Sequence, residues 1–207
     1  MAAQRVIRQA VHAPIRGGAA LAKLQEGTYG TGGEVIDKTF WDTLVLLSTN
    51  TVYRMFTVPN GQAGKTLDMT NMISTGQISQ GQNHTVNSIF VQYMANKQHD
   101  AAELLEIYQL LNHFTVEIEI PGKDNLGDWT LAQIMGASFV VPFAAAVTIN
   151  QPMIQPQFNG VLHLKVPIVL SALTSFAVKV TPQVASAAAL DGDFIRLGLR
   201  GILKRSS

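Results

Sequence analysis

Cysteine is absent from the 207-residue chain, which excludes disulfide staples, thiolate metal sites and cysteine nucleophiles together. The redox compartment stays open, because a chain without thiols suits either state. Charge is scarce as well. Asp, Glu, Lys and Arg make up 14% of the residues, against roughly 25% in an average soluble chain. The net charge of +1 excludes a strong bulk pull toward nucleic acid or anionic lipid, so local clusters must carry any such contact. A surface this neutral is weakly solvated and readily covered by other chains, which favours an assembly subunit. Long apolar runs are missing too. The most apolar stretch, Ile134 to Ile149, is short for a bilayer span and carries Pro142 near its centre; it reads as a buried strand pair. The opening residues MAAQRVIRQAVHAPIRGG hold basic side chains throughout and no apolar secretory core, which points to cytoplasmic synthesis.

What is present is strand grammar. Thr51 to Val58 is β-branched and aromatic, Pro59-Asn60-Gly61 stops it, and Thr85 to Met94 resumes the same chemistry after Gly81 to His84. Phe114 to Ile120 alternates strictly, with Phe114, Val116, Ile118 and Ile120 inward and Thr115, Glu117 and Glu119 outward. Further strands are expected over Thr39–Leu47, Trp129–Met135, Ser138–Ile149, Val161–Leu170, Ser175–Thr181 and Phe194–Leu203. One helix interrupts them. Gln98 to His113 switches to helical spacing, with Asp100 and Glu103 placed as a capping box and Leu104, Ile107, Tyr108 and Leu111 along one face.

The expected fold is therefore all-β: a single jelly roll, an eight-stranded antiparallel sandwich, with one inserted helix and an extended N-terminal arm. Residues 1–38 form the arm and a glycine-rich approach, and 39–207 the sandwich domain. Within the arm, Val6, Ile7, Ala10 and Val11 fall at helical spacing opposite Arg5 and Arg8. Such a short segment orders on a neighbouring subunit, nucleic acid or lipid, or else frays.

Catalytic constellations are weak throughout. Pro59 to Thr66 follows a strand pattern and ends in GKT like a phosphate-binding loop, but Pro59 itself stands where that motif needs its first glycine, and no helix pattern follows. No two of His12, His84, His99, His113 and His163 have metal-ligand spacing. Glu117 and Glu119 share a strand face as a glycosidase pair would, yet the opposite face is uniformly apolar, as on a half-solvated strand. Asp191-Gly192-Asp193 reads as a turn without a full calcium ligand set. The last strand alternates Ile195, Leu197 and Leu199 with Arg196, Arg200 and Lys204. That basic stripe suits phosphate, lipid head groups or a neighbour's carboxylates, or is ordinary solubilising charge.

Three segments together carry a resemblance: GKTLDMTNM at Gly64 to Met72, the following GQISQGQNHTVNSIFVQYM, and the closing FIRLGLRGILKR. They resemble the capsid proteins of tailless icosahedral bacteriophages. The resemblance implies a single jelly roll, no catalytic residues, no cofactor and no metal. It also implies a virion structural protein, the major capsid subunit, made in the host cytoplasm and assembling with copies of itself and with other capsid or vertex proteins. An internal membrane or the packaged genome would be met through basic residues. The interface candidates are Arg5, Arg8 and Arg16 in the arm, Trp129, Phe139 and Phe143 in the uncharged span, and Arg196 and Arg200 on the last strand. Two other readings stay open. One is a vertex or spike jelly roll binding a receptor or carbohydrate through Trp41, Tyr53, Tyr93 or Trp129; the other is a metal-dependent cupin enzyme.

Overall fold

A computed structural model of the chain describes residues 33–97, 99–123, 126–135, 157–184 and 188–205. Arg5, Arg8 and Arg16 of the expected arm, and Phe139 and Phe143 of the uncharged span, lie outside the described residues. The strands are β1 (Glu34–Val45), β2 (Tyr53–Met55), β3 (Gln82–Met94), β4 (Phe114–Glu119), β5 (Leu126–Thr130), β6 (Gln157–Leu170), β7 (Ala177–Pro182) and β8 (Phe194–Arg205). Helix α1 (Ala101–His113) joins β3 to β4, and the short α2 (Leu131–Met135) follows β5. Strand β1 begins at Glu34, ahead of the boundary at 39 read from sequence, so the end of the glycine-rich approach already belongs to a sheet.

Two antiparallel four-stranded sheets result, one in the order β1-β8-β3-β6 and the other β2-β7-β4-β5. Period-two alternation sends one face of each strand between them. Phe114, Val116 and Ile118 on β4 are buried as expected, as are Ile195, Leu197 and Leu199 on β8. They meet Ile89, Val91 and Tyr93 of β3 in one core. Each such aliphatic or aromatic side chain contributes about 1.5–3 kcal/mol when fully buried.

Helix α1 has the expected capping box: Asp100 accepts from the Glu103 N–H at 2.8 Å, and Glu103 accepts from the Asp100 N–H at 3.1 Å. Its buried face differs by one position from the reading above. Leu110 is buried with Ile107 and Leu111, while Tyr108 is exposed. The expected strand Trp129–Met135 is half wrong, since β5 ends at Thr130 and a helical turn follows. Its start is a second reciprocal cap, with Gln133 N–H donating to the Thr130 hydroxyl and Thr130 N–H donating to the Gln133 side chain. Gly160 of β6 makes room for this turn, because a Cβ there would stand 2.0 Å from the Met135 Cα.

Where β3, α1 and β8 meet, buried polar groups tie the elements together. His99 lies 2.8 Å from Asp193 and 3.0 Å from Glu103. Tyr93 donates its hydroxyl hydrogen to the same Asp193 carboxylate, which also accepts from the Asn96 N–H at 2.8 Å. Burial, and then the Asp193 carboxylate, push the Tyr93 hydroxyl far up, so it stays a neutral donor. Burial pushes the Glu103 carboxyl up, but bonds from Asp100 N–H, His99 and Lys97 outweigh it and hold it below its usual range. His99, Asp193 and Tyr93 are shut away from solvent, so the cluster is a tie and offers no entrance to a substrate.

At the opposite end His84 is fully buried, edge-on to Phe40 at 4.9 Å between ring centroids. Burial pulls its pKa down to about 4, against the partial support of the Leu199 and Ile202 carbonyls. Because the folded value lies below that of the unfolded chain, the unfolded chain takes the proton first as pH falls. The His84 contribution is thus intact above about pH 6.5, drains away toward pH 4 and amounts to about 3 kcal/mol in total. Unfolding free energies measured from pH 7 to 4 are expected to fall with that profile, and to lose that part of it in His84→Gln; an unchanged slope in the variant would exclude His84 as the source.

Candidate interaction surface

The outward face of the β1-β8-β3-β6 sheet carries the feature most like a site. Register aligns its side chains in cross-strand rows. Trp41, Gly198, Phe90 and Val161 form one row, and Thr39, Arg200, Ser88 and His163 the next. Thr43, Arg196 and Gln92 flank the first row on its other side. A bulge in β3 between Val86 and Ser88 keeps the upper part of the strand in phase with this face.

Gly198 shapes the surface. A Cβ there would fall 1.9 Å from Phe90 Cε1, so the aromatic ring lies down on the bare glycine backbone. Beside it opens a trough of about 650 Å³, lined by Asp37 and Thr39 of β1, Ser88, Phe90 and Gln92 of β3, Gly160 and Val161 of β6, and Arg200 of β8.

The arginines expected to form a basic stripe are answered from within the chain. Arg200 Nη2 lies 3.3 Å from Asp37 Oδ2, and Arg205 Nη1 is the same distance from Glu34 Oε2. Arg196 turns sideways. Its guanidinium stacks 4.5 Å over the Trp41 ring and donates to the Thr43 hydroxyl at 3.2 Å and to the Asp68 carbonyl. Of the charged residues that line the trough, Asp37 and Arg200 offset one another, and Arg196 and Arg200 sit on the two rows either side of Phe90.

Other expected residues go elsewhere. Trp129, on the edge strand β5 of the second sheet, folds over Gly127 and packs half-buried against the core, distant in topology from the arginines. Tyr53 and Tyr93 are buried and present no ring to a ligand, which removes them as carbohydrate platforms. Glu117 pairs with Lys179 and Glu119 with Arg54, as charges on a solvated strand face do. The GKT lysine is consumed inside the protein: Lys65 Nζ lies 2.7 Å from the buried Asp42 carboxylate and also donates to the Thr43 carbonyl. A turn at residues 67–69 stands where a phosphate loop would need a helix. Among the described residues no three His, Asp or Glu side chains gather as a metal site.

The TNM segment has a structural role that sequence reasoning missed. Asn71 accepts from the Trp41 N–H at 2.8 Å and donates its side-chain amide to the Thr39 carbonyl at 2.7 Å, while its own N–H and the Thr70 hydroxyl reach the Trp41 carbonyl. Those two residues satisfy the outer edge of β1 at Thr39 and Trp41 as a ninth strand would there, and so block that stretch. The opposite edge strand, β6, has no such cover among the described residues, and Val161, Val166 and Val169 along it are exposed.

No family model matches this chain, and no curated protein matches it either.

Proposed function

We propose that the chain is a viral structural protein, a capsid subunit that self-assembles into an icosahedral shell, and that its sandwich is a jelly roll. The pairing of β1 with β8, β2 with β7, β3 with β6 and β4 with β5 supports the fold reading. A long ribbon of two antiparallel arms, rolled so that β3 also meets β8 and β4 meets β7, yields that order.

The observation that carries the function is the unequal treatment of the two edges of the first sheet. Asn71 and Thr70 cover the middle of the β1 edge at Thr39 and Trp41, whereas the 14-residue β6 keeps an uncovered edge among the described residues, with Val166 78% exposed. Natural proteins that stay monomeric guard long apolar edges. Ile73, 86% exposed, and Leu67, 69% exposed, add apolar contacts on ordered loops, and the low charge of the whole chain removes repulsion between copies. Contact with a packaged genome or an inner membrane is assigned to Arg5, Arg8 and Arg16 rather than to Arg196 and Arg200, whose guanidinium groups are already engaged within the chain. A second reading, a vertex or spike subunit that binds a receptor or carbohydrate, is favoured by the trough beside Phe90.

Electron microscopy with light scattering on the purified chain, across salt and pH, tests the first reading. Rings, sheets or shells are expected, and Val166→Lys is expected to raise the concentration needed for assembly at least about tenfold while changing stability by no more than about 0.5 kcal/mol. Particles formed equally well by the variant would remove β6 as the contact, and a persistent monomer would favour the vertex reading.

A further inference from the structure

We propose that the trough on the outward face of the first sheet binds a neutral oligosaccharide. Its size, about 650 Å³, falls in the range of small-ligand sites, roughly 300–1,000 Å³. Its floor and its rim differ in chemistry. Phe90, held flat by Gly198, and Val161 supply an apolar platform, the surface on which the C–H face of a pyranose ring packs. Around it stand a carboxylate, a guanidinium, a primary amide and two hydroxyls, from Asp37, Arg200, Gln92, Thr39 and Ser88.

The charge balance selects the ligand class. Asp37 and Arg200 cancel one another, so the site attracts neither an anion nor a cation. A sulfate or phosphodiester could only accept hydrogen bonds and would meet the Asp37 carboxylate. A sugar hydroxyl donates and accepts at once, and a vicinal pair of hydroxyls can give one hydrogen to Asp37 while accepting from Arg200. The two charged side chains are free to do so. Their pair is 3.3 Å long and well exposed, 60% for Arg200 and 69% for Asp37, and an exposed pair of that kind holds its partners weakly. Single-stranded nucleic acid is disfavoured by the same carboxylate and by the commitment of Arg196 to Trp41, Thr43 and Asp68. The inference rests on the second reading above and not on assembly, so it stands or falls separately from the capsid reading.

Calorimetric and saturation-transfer titrations of the unassembled chain provide the test. The probes are neutral oligosaccharides built from glucose, galactose, mannose or xylose, with a heparin fragment and an oligothymidylate as anionic comparisons. At least one neutral oligosaccharide is expected to bind with Kd between about 10 μM and 1 mM. Phe90→Ala and Gly198→Ala, which remove or lift the platform, are expected to weaken it at least about tenfold. Because both touch packing, Asp37→Ala is the third variant; it alters only an exposed group and is expected to weaken binding with the thermal midpoint unchanged. No binding by any neutral probe at about 10 mM, affinity untouched by Asp37→Ala, or tighter binding of either anionic probe would each overturn the proposal.

Discussion

Asp42→Ala is expected to destabilise the protein by about 3–5 kcal/mol, the scale for breaking a buried charge pair by deleting one partner. The Asp42 side chain is 1% exposed and serves three donors. One oxygen accepts from the Thr43 N–H at 2.9 Å and from Lys65 Nζ at 2.7 Å, and the other from the Phe56 N–H at 2.6 Å. Phe56 has φ of 65°, a left-handed conformation that costs a bulky residue about 1–2 kcal/mol and persists only when its surroundings hold it. Alanine would orphan two backbone donors, leave the Lys65 ammonium without its counter-charge and release that turn together. The loop from Pro59 to Met72 is held partly through Lys65, so the Asn71 cover on β1 should loosen too, and the variant should associate more readily. Urea unfolding gives the energy and light scattering the association. The double variant Asp42→Ala/Lys65→Met is expected to recover part of the loss, because no uncompensated ammonium is left behind. A cost below about 1 kcal/mol for Asp42→Ala would mean that the pair is worth no more than an exposed one.

Gly201→Ala should be comparably severe, at about 3 kcal/mol or more. Gly201 faces Val86 in the β3–β8 ladder, beside the β3 bulge. A Cβ on it would stand 1.9 Å from the Thr85 carbonyl oxygen and 2.9 Å from the Val86 Cα. Those are backbone atoms of a central strand, so no rotamer change relieves the clash, and the two innermost strands of the sheet would have to part. Gly61→Ala is the natural comparison. Gly61 has φ of +81° but nothing within 4 Å of its would-be Cβ, so only the conformational cost of about 1 kcal/mol applies. Equal losses for the two variants in denaturant unfolding would show that the bulge shifts freely and that the close approach at Gly201 is not a constraint.

Both effects sit under the proposed functional surfaces. Gly201 lies one residue from Arg200 on the strand that floors the trough, and Asp42 sits beside Trp41, whose backbone Asn71 covers. Stability and binding therefore need separate readouts. Asp37 and Val166 are the positions where function can be altered with the core untouched.

Much of the secondary structure was legible from sequence, because alternation with period two and the 3.6-residue helical period are local; the strand expected over Thr51–Val58 shrinks to Tyr53–Met55, and the one expected over Ser138–Ile149 lies outside the described residues. Phe114, Val116 and Ile118 declared their inward face, as did Ile195, Leu197 and Leu199, and Asp100 with Glu103 announced the start of α1. Helix α2 was hidden because Leu131 to Met135 is apolar enough to pass for strand; the Thr130–Gln133 cap was the signal. Which strand lies beside which was decided only in three dimensions, since antiparallel neighbours such as β1 and β8 are separated by almost the whole chain and are joined by burial of a shared core. The same holds for function. The spacing of Lys65 suggested a phosphate loop until Asp42 was found beside it, and the spacing of Arg196 and Arg200 suggested a basic stripe until Asp37, Asp68 and Trp41 were found answering it. The trough gathers residues 37 and 39, 88 and 90–92, 160–161 and 200 from four strands, and alternation shows only that a residue faces outward, whereas cross-strand register determines what stands next to it.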